Sequence, residues 1–393
     1  MLIEAHTIAT HSPPRDWLYA LVIVKLSSSL PVAALLIGAL SLLTGCQPGS
    51  YVSSDSVTPV AGDRVPLADI DWLADPHDWV GPSTALLGVA DIEPAAINPA
   101  QTLPLTVESD ELGEPLRVTI TSTDRLLALD MSGSLAATVW ALGLGDQLVG
   151  RDISTTFPGS EALPVVTGSG HAIAPESVLA LRPDLIITDG TIGPLDVVLQ
   201  LREAGVTVVF VRKPPGLDAP AEMALAVGEI LGVTDVGSQL ASRITNDIET
   251  VSAVIAQNTP SNTEDKLRMV FVYLRGGNGI YYLFGEESGS SDLIESLGGR
   301  DIATEIGWTG LRPMTDEALI SANPDLILVM THGLQSVGGV DKLLEAKPAL
   351  GLTTAGKNRR FVDMADSQVL SFGPRTPEIM DALARAIYSP ATK

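Results

Sequence analysis

The sequence predicts an α/β protein of two lobes, each with a mostly parallel sheet covered by helices, the lobes being joined by one long helix. Three observations lead to this prediction. Short apolar strands alternate with helices from Arg117 to the end of the chain, which is typical of parallel sheets covered on both faces. A single long amphipathic helix interrupts this alternation, and one helix–strand phrase occurs once on each side of it.

The N-terminal lobe is predicted over residues 116–215. Leu and Ala recur at helical spacing over residues 122–143 after a Ser/Thr/Asp capping signal, which predicts a helix there. Four other segments read as strands, namely RVTI, QLVGRD, DLIITDG and VTVVFV, and two read as helices, namely APESVLAL and GPLDVVLQLREAG.

Linking helices are predicted over residues 216–258. One of them covers Val236 to Ala256, since its aliphatic residues form one stripe, and it is about 30 Å long at 1.5 Å per residue. The C-terminal lobe follows over residues 259–393, with the segments LRMVFVYL, GSSDLIESLG, DEALISA, PDLILVM, GVDKLLEA, RRFVDM and TPEIMDALARAIY.

The repeated phrase places a glutamate at the start of a helix and Pro-Asp-Leu-Ile at the start of a strand. Glu176 precedes Pro183 by seven residues, and Glu317 precedes Pro324 by seven. Acidic residues favour helix N-termini and Pro-Asp suits turns, so these preferences alone could produce the match. One copy per lobe at equal spacing instead favours two lobes of similar plan.

The N-terminal region indicates export and tethering to a membrane. Residues 1–45 are predicted to be a signal peptide, because the apolar run Leu30–Leu43 is too short to span a bilayer comfortably. The following LTGC resembles the bacterial lipobox, which predicts lipidation of Cys46, the one cysteine of the chain. The alternative is a buried cysteine in a core helix. We expect an exported protein anchored to the outer face of the cell membrane.

Residues 46–115 are predicted to be a lipid-anchored acidic spacer. Twelve acidic residues stand against one basic residue between Asp55 and Glu114, and such a composition buries too little apolar surface to offset the entropy of ordering. The formal net charge of −23 argues against nucleic acid as a partner.

Several segments together resemble a known family. The two-lobed plan with its lipobox resembles the substrate-binding lipoproteins of bacterial ABC importers, over Arg117 to about Tyr388. Within that group the chain resembles the haem binders of Gram-positive, especially actinobacterial, type, in the segments GSGHAIAPESVLALRPDLIITDG, VYLRGGNGIYYLFGEESGSSDLIESLGG, GWTGLRPMTDEAL, MTHGLQSVGGVDKLL and LSFGPRTPE.

The resemblance implies that haem b is a transported ligand, held in a cleft between the lobes with His171 and Tyr273 as axial ligands to the iron. It implies as partners a permease dimer, its ATPase and cell-surface haem donors. It also implies that Glu176 and Glu317 pair with arginines of the permease. The protein is expected to take up iron as haem and not to be an enzyme.

The residues themselves agree with this assignment. His171 follows flexible glycines on the carboxyl side of a predicted strand, where α/β folds bind ligands. Tyr273 and Arg275 are two apart on a strand, so they share a face about 6–7 Å apart. Haem iron accepts imidazole or phenolate, and a guanidinium stabilises phenolate. Without the family, a capped surface histidine and a packing tyrosine are the alternatives.

Further candidates depend less on pattern and more on the resemblance. Tyr282 and Arg312 are predicted to contact the ligand, Arg312 at a haem propionate, although a surface salt bridge would also explain an arginine there. Residues that could line the cleft, or serve ordinary core or surface roles instead, are His332, Trp308, Phe372, Arg375, Met131 and Ser132.

The alternatives are another ligand in the same fold and an enzyme. A ferric siderophore or cobalamin could occupy the same fold; cobalamin needs no axial ligand from the protein and would leave Tyr273 and Arg275 unexplained. Zinc and manganese binders use several histidines, whereas only His171 and His332 lie in the lobes. Among enzyme signatures, the sequence contains no GxSxG elbow, P-loop, HExxH motif or cysteine nucleophile.

Overall fold

The computed structural model describes residues 64–88, 91–111, 114–276 and 280–391. The predicted signal peptide and Cys46 lie outside these residues. The strands are β1 Ser83–Thr84, β2 Leu105–Glu111, β3 Glu114–Ile120, β4 Leu126–Leu129, β5 Leu185–Thr188, β6 Thr207–Phe210, β7 Arg268–Arg275, β8 Ile280–Leu283, β9 Arg300–Asp301, β10 Arg312–Pro313, β11 Leu326–Met330 and β12 Phe361–Met364.

The helices cover the sheets and join the lobes. They are α1 Ser134–Ala141, α2 Pro175–Leu181, α3 Leu195–Glu203, α4 Ala219–Ile230, α5 Thr234–Asn258, α6 Ser290–Ser296, α7 Ile302–Glu305, α8 Asp316–Ala322, α9 Thr331–Ser336, α10 Gly339–Ala346, α11 Thr354–Lys357, α12 Asp366–Val369 and α13 Thr376–Tyr388. None of the described helices is both long enough and apolar enough to cross a bilayer.

The N-terminal lobe contains a parallel sheet in the order β4-β5-β6. All four residues of β4 and of β5 are buried, as expected for strands covered on both faces. The prediction of one helix over residues 122–143 is wrong in its first half. Leu126–Leu129 is a strand, and α1 begins at Ser134 after Gly133, whose φ is 72°. A fully buried strand is apolar at every position, so it also matches helical spacing.

The C-terminal lobe contains a mixed sheet in the order β1-β12-β11-β7-β8-β10, with β9 also beside β7. Strands β1, β12, β11 and β7 are parallel neighbours, in agreement with a mostly parallel sheet, whereas the β7–β8 and β8–β10 pairs are antiparallel. The segments listed for this lobe, LRMVFVYL to TPEIMDALARAIY, each form a helix or a strand.

Helix α5 confirms the predicted long helix, over 25 residues. It buries Leu240, Ile244, Ile248 and Ile255, and it packs against α4 and α13. One face of a single helix therefore contributes to the core beside both lobes.

The repeated phrase forms the same unit in each lobe. Helices α2 and α8 are both seven residues long and both end at a residue in the left-handed conformation, Arg182 or Asn323. The aspartate that follows donates its N–H to the residue at the start of the neighbouring strand: Asp184 to the Arg125 oxygen at 2.9 Å, Asp325 to the Arg268 oxygen at 2.8 Å.

The acidic segment before the lobes packs more extensively than its composition predicts. Its described part contributes β1 to the C-terminal sheet and forms the β2–β3 hairpin, which contains the predicted boundary at 115/116. Leu67, Leu87 and Ile92 are buried in the core. The expectation that this segment buries too little is wrong for residues 64–115 as far as they are described. Average composition hides a few well-spaced apolar residues whose burial, together with strand pairing, offsets the ordering entropy.

Candidate functional site

The carboxyl edge of the N-terminal sheet carries polar residues directly after its strands. Asp130 follows β4, Asp189 follows β5, and Lys213 stands three residues after β6. In parallel α/β sheets this edge is where ligands bind. The loop that carries His171 also belongs to this lobe.

His171 ends a short 3₁₀ turn, Ser169–His171, with a φ of 61°. A bridge between Thr167 and Ile173, and a 2.8 Å bond from the Gly168 N–H to the Ala172 oxygen, close the base of this loop. The ring is half-buried, and its Nδ1 lies 3.4 Å from Ser154 Oγ. Since Nδ1 faces Ser154, Nε2 is the nitrogen available to bind a metal.

Tyr273 lies on the C-terminal lobe near the end of β7, paired in register with Tyr282 of β8. The two rings lie 6.4 Å apart between centroids, and Phe284 stands edge-on to Tyr273 at 6.3 Å. Phe284 also packs edge-on against the buried Phe271 at 4.9 Å. The strand face thus runs from a buried phenylalanine through a half-buried tyrosine to the exposed Arg275.

Phe284 was not singled out from the sequence. It orients Tyr273 by contacting both that ring and the core. The signal that could have found it is its spacing of two from Tyr282, which places both side chains on the same face of the chain in extended conformation.

Arg275 provides the connection between the two candidate ligands. It ends β7 two residues after Tyr273, and it belongs to the other lobe from His171. Burial lowers the pKa of His171, and the positive charge of Arg275 lowers it further. The charge of Arg275 thus acts on His171 from the other lobe. A lowered pKa keeps the imidazole neutral, and the neutral form is the one that binds metals.

Replacing Arg275 by alanine is expected to raise the pKa of His171 in the ligand-free protein, because a nearby positive charge disfavours the imidazolium. The value should stay below that of an ordinary histidine, since burial, the larger cause, remains. Titration of the His171 ring protons by NMR measures this. Lys342→Ala, which removes a positive charge from the exposed side of α10, is the control and should leave the titration unchanged. An equal titration in Arg275→Ala would refute the interaction.

Arg312 and Trp308 lie beside this site on a different face. Arg312 pairs in register with Leu283, the residue after Tyr282. Since successive side chains on a strand point to opposite faces, Arg312 and Tyr282 lie on opposite faces of the sheet. Its guanidinium lies 5.1 Å from the centroid of the Trp308 ring and donates to Thr309 Oγ1 at 3.0 Å. The structure thus brings Tyr282 to Tyr273 but holds Arg312 on Trp308, and a propionate contact by Arg312 stays a prediction.

The remaining candidates from the sequence lie in the core, at the surface or in an ion pair. Phe372 is 4% exposed and belongs to the core, whereas Met131 is 52% exposed. His332 is exposed in the first turn of α9, where its N–H donates to Asp366 Oδ1 at 2.9 Å. Arg375 is engaged by Glu378, to whose Oε2 it donates from two nitrogens at 2.8 and 2.6 Å.

A cavity of about 50 Å³ lies between the lobes. Ser154 and Thr156 line it from the N-terminal lobe, and Ser367 and Ser371 from the C-terminal lobe. Thr156 Oγ1 and Ser367 Oγ lie 3.0 Å apart, which joins the lobes at this level. Since Ser154 Oγ also lies 3.4 Å from His171 Nδ1, this cavity lies close to the His171 ring.

The chain resembles solved haem-binding proteins along most of its length. The crystal structure of heme binding protein HmuT matches with 36% sequence identity and a TM-score of 0.74, covering 80% of this chain and 99% of that one. Variants of HmuT in which a histidine, a tyrosine or an arginine is replaced by alanine also match; those for arginine and tyrosine show 35% identity and the histidine variant 36%.

Curated relatives are more distant. An uncharacterized ABC transporter substrate-binding lipoprotein of Bacillus subtilis, YvrC, is 27% identical over 63% of this chain and 76% of its own length. A cobalamin-binding protein of Halobacterium salinarum is 27% identical over 66% of this chain and 68% of its own length. The family model described as periplasmic binding protein matches residues 131–367. These neighbours are substrate-binding transport proteins and not enzymes, and the chain belongs to the periplasmic binding protein family.

Proposed function

We propose that the protein captures haem in the cleft between its lobes, with His171 and Tyr273 as axial ligands, and delivers it to an ABC importer for iron uptake. The feature that supports this most is the placement of His171 on a loop of the N-terminal lobe and of Tyr273 near the end of β7 on the C-terminal lobe. Tyr273 stands two residues before Arg275 on the same strand face. An imidazole and a phenol thus belong to opposite lobes, as the proposal requires.

The chemistry of this pair suits ferric haem. Iron in haem accepts either a histidine or a tyrosine as an axial ligand. A phenolate is anionic, so it favours Fe(III) over Fe(II). The neutral imidazole that the lowered pKa of His171 maintains completes the pair.

The match to HmuT supports the same ligand. That protein is described as a heme binding protein, and its tyrosine and arginine variants are two positions apart, the same spacing as Tyr273 and Arg275. Membership of the family supports the delivery step, because ABC substrate-binding proteins work with a membrane permease and its ATPase. The match to the YvrC lipoprotein supports our proposal that Cys46 anchors the protein outside the cell membrane.

Cobalamin is the second candidate, favoured by one relative described as a cobalamin-binding protein. A ferric siderophore would also fit the fold. Cobalamin gives Tyr273 and His171 no joint role, since it needs no axial ligand from the protein.

A pair of titrations distinguishes these ligands. Adding hemin to the ligand-free protein should produce a shifted Soret band that saturates at a defined ratio, while cyanocobalamin at the same concentrations should neither bind nor displace hemin. Tight cyanocobalamin binding that displaces hemin would overturn the proposal. Absence of a saturable hemin signal would also overturn it.

A further inference from the structure

Lys213 connects the two lobes beneath the cleft. Its side chain is 16% exposed, and its Nζ donates to Ser132 Oγ at 2.8 Å, Ser134 Oγ at 2.9 Å and the Ser371 backbone oxygen at 2.7 Å. An ammonium group has three donors, so this side chain is fully engaged. Two acceptors belong to the N-terminal lobe and the third belongs to the C-terminal lobe.

The charge of Lys213 is balanced by Asp130, whose Oδ2 lies 3.6 Å from Nζ. Asp130 is fully buried, and it accepts bonds from the Ser134 and Leu135 N–H groups at 3.2 and 3.0 Å. Burial by itself would raise the pKa of Asp130, but the charge of Lys213 and the bonds from the Ser132 hydroxyl, the Leu135 N–H and the Ser134 hydroxyl outweigh burial and lower it. The carboxylate therefore stays ionised and holds both the start of α1 and the lysine.

Two other carboxyl groups border this cluster. Burial and the charge of Asp130 raise the pKa of Asp152 to about 7 and raise that of Asp189. The cluster thus contains several groups that disfavour further negative charge, with Lys213 as the cation among them. The three hydrogen bonds of Nζ fix the position of the Lys213 side chain, and the ammonium group has no donor left for a ligand.

The acceptor on the C-terminal lobe is held firmly. The Ser371 N–H donates to the Gln368 oxygen at 3.0 Å, and the next residue, Phe372, is buried with a φ of 43°. Ser132 Oγ also lies 3.4 Å from the Ser371 oxygen. A charge-assisted bond to a fixed carbonyl is a stronger connection than the neutral hydroxyl contact between Thr156 and Ser367.

We propose that Lys213 is a positioning residue: its bond to the Ser371 carbonyl fixes the lobes relative to each other and so sets the separation of His171 and Tyr273. The effect on hemin binding rests on the proposed function. The bond between Lys213 and the Ser371 carbonyl, in contrast, is a property of the ligand-free protein. Two ligands from different lobes can bind one iron only at the right separation. The apparent dissociation constant rises as the fraction of molecules with that separation falls.

The test uses the full chain carrying Asp130→Asn together with Lys213→Met. Removing the lysine alone would leave a buried carboxylate without its partner, which is strongly destabilising, whereas removing both charges is tolerated far better. Hydrogen–deuterium exchange of the ligand-free double variant should accelerate in residues 366–375. Hemin should bind several-fold more weakly, yet the absorption spectrum at saturation should match the parent, because both axial ligands remain.

Lys342→Met, which breaks an exposed pair with Glu345, is the matched control and should change neither measurement. Unchanged exchange in residues 366–375 of the double variant would overturn the connection, whatever the ligand. Faster exchange with unchanged hemin affinity would overturn the positioning role. If the double variant fails to fold, Lys213→Arg keeps a cation beside Asp130 but cannot fit three converging acceptors. It must show the same faster exchange, or the inference is wrong.

Discussion

Alanine at His171 or at Tyr273 should weaken hemin binding and change the absorption spectrum, and the double variant should nearly abolish binding. Loss of a group that merely supports a metal ligand typically costs 10–100-fold in affinity, so loss of an axial ligand should cost more than about tenfold. Hemin titrations followed in the Soret region measure both effects.

Tyr282→Phe is the matched control for this experiment. Tyr282 faces Tyr273 across β7 and β8, and the substitution keeps its ring while removing a hydroxyl. The iron spectrum of this variant should equal that of the parent. If both alanine variants kept the parent spectrum, the assignment of His171 and Tyr273 would be wrong.

Glu176→Ala combined with Glu317→Ala should abolish most haem uptake by cells while leaving hemin affinity unchanged. Both glutamates are the second residue of equivalent helices, and both are exposed. Three residues further on, each helix also presents an exposed aliphatic side chain, Leu179 or Ile320. A two-fold permease can meet such a protein with one matching group per lobe, and arginines there would pair with these glutamates.

The competing explanation is that the glutamates only complement their helix dipoles, a contribution of roughly 0.3–1 kcal/mol each. In that case thermal stability falls slightly and uptake persists. The control variant, Glu203→Ala with Glu345→Ala, removes one exposed glutamate from each lobe at a different place on the surface. It should leave uptake normal. Normal uptake in the Glu176/Glu317 variant would exclude the docking role, and loss of hemin affinity would assign these residues to the cleft or the fold.

Periodicity and spacing predicted the parts of the fold that local sequence determines. The stripe from Val236 to Ile255 indicated α5, and the paired Glu…Pro-Asp phrases indicated the equivalent units around α2 and α8. The strand β4 was missed because buried strands and buried helices are equally apolar. The buried residues before position 116 were missed because composition was averaged over an acidic segment.

The candidate site could be predicted only in part, because some of its contacts join residues that are far apart in the sequence. The spacing of Tyr273 and Arg275 is local, so the sequence indicates that they share a face. The contact of Lys213 with Ser371 joins residues 158 positions apart, and no local pattern predicts it. The position of Arg312 on Trp308 depends on the register of β8 and β10, which is a property of the folded sheet.

The central claim is that a histidine from one lobe and a tyrosine from the other bind a single haem iron. A crystal structure of the protein loaded with hemin tests it most directly, with the iron located by its anomalous scattering. The iron should lie in the cleft, bonded to His171 Nε2 on one face of the porphyrin and to Tyr273 Oη on the other. Iron bonded to neither side chain, or a porphyrin bound outside the cleft, would contradict the account.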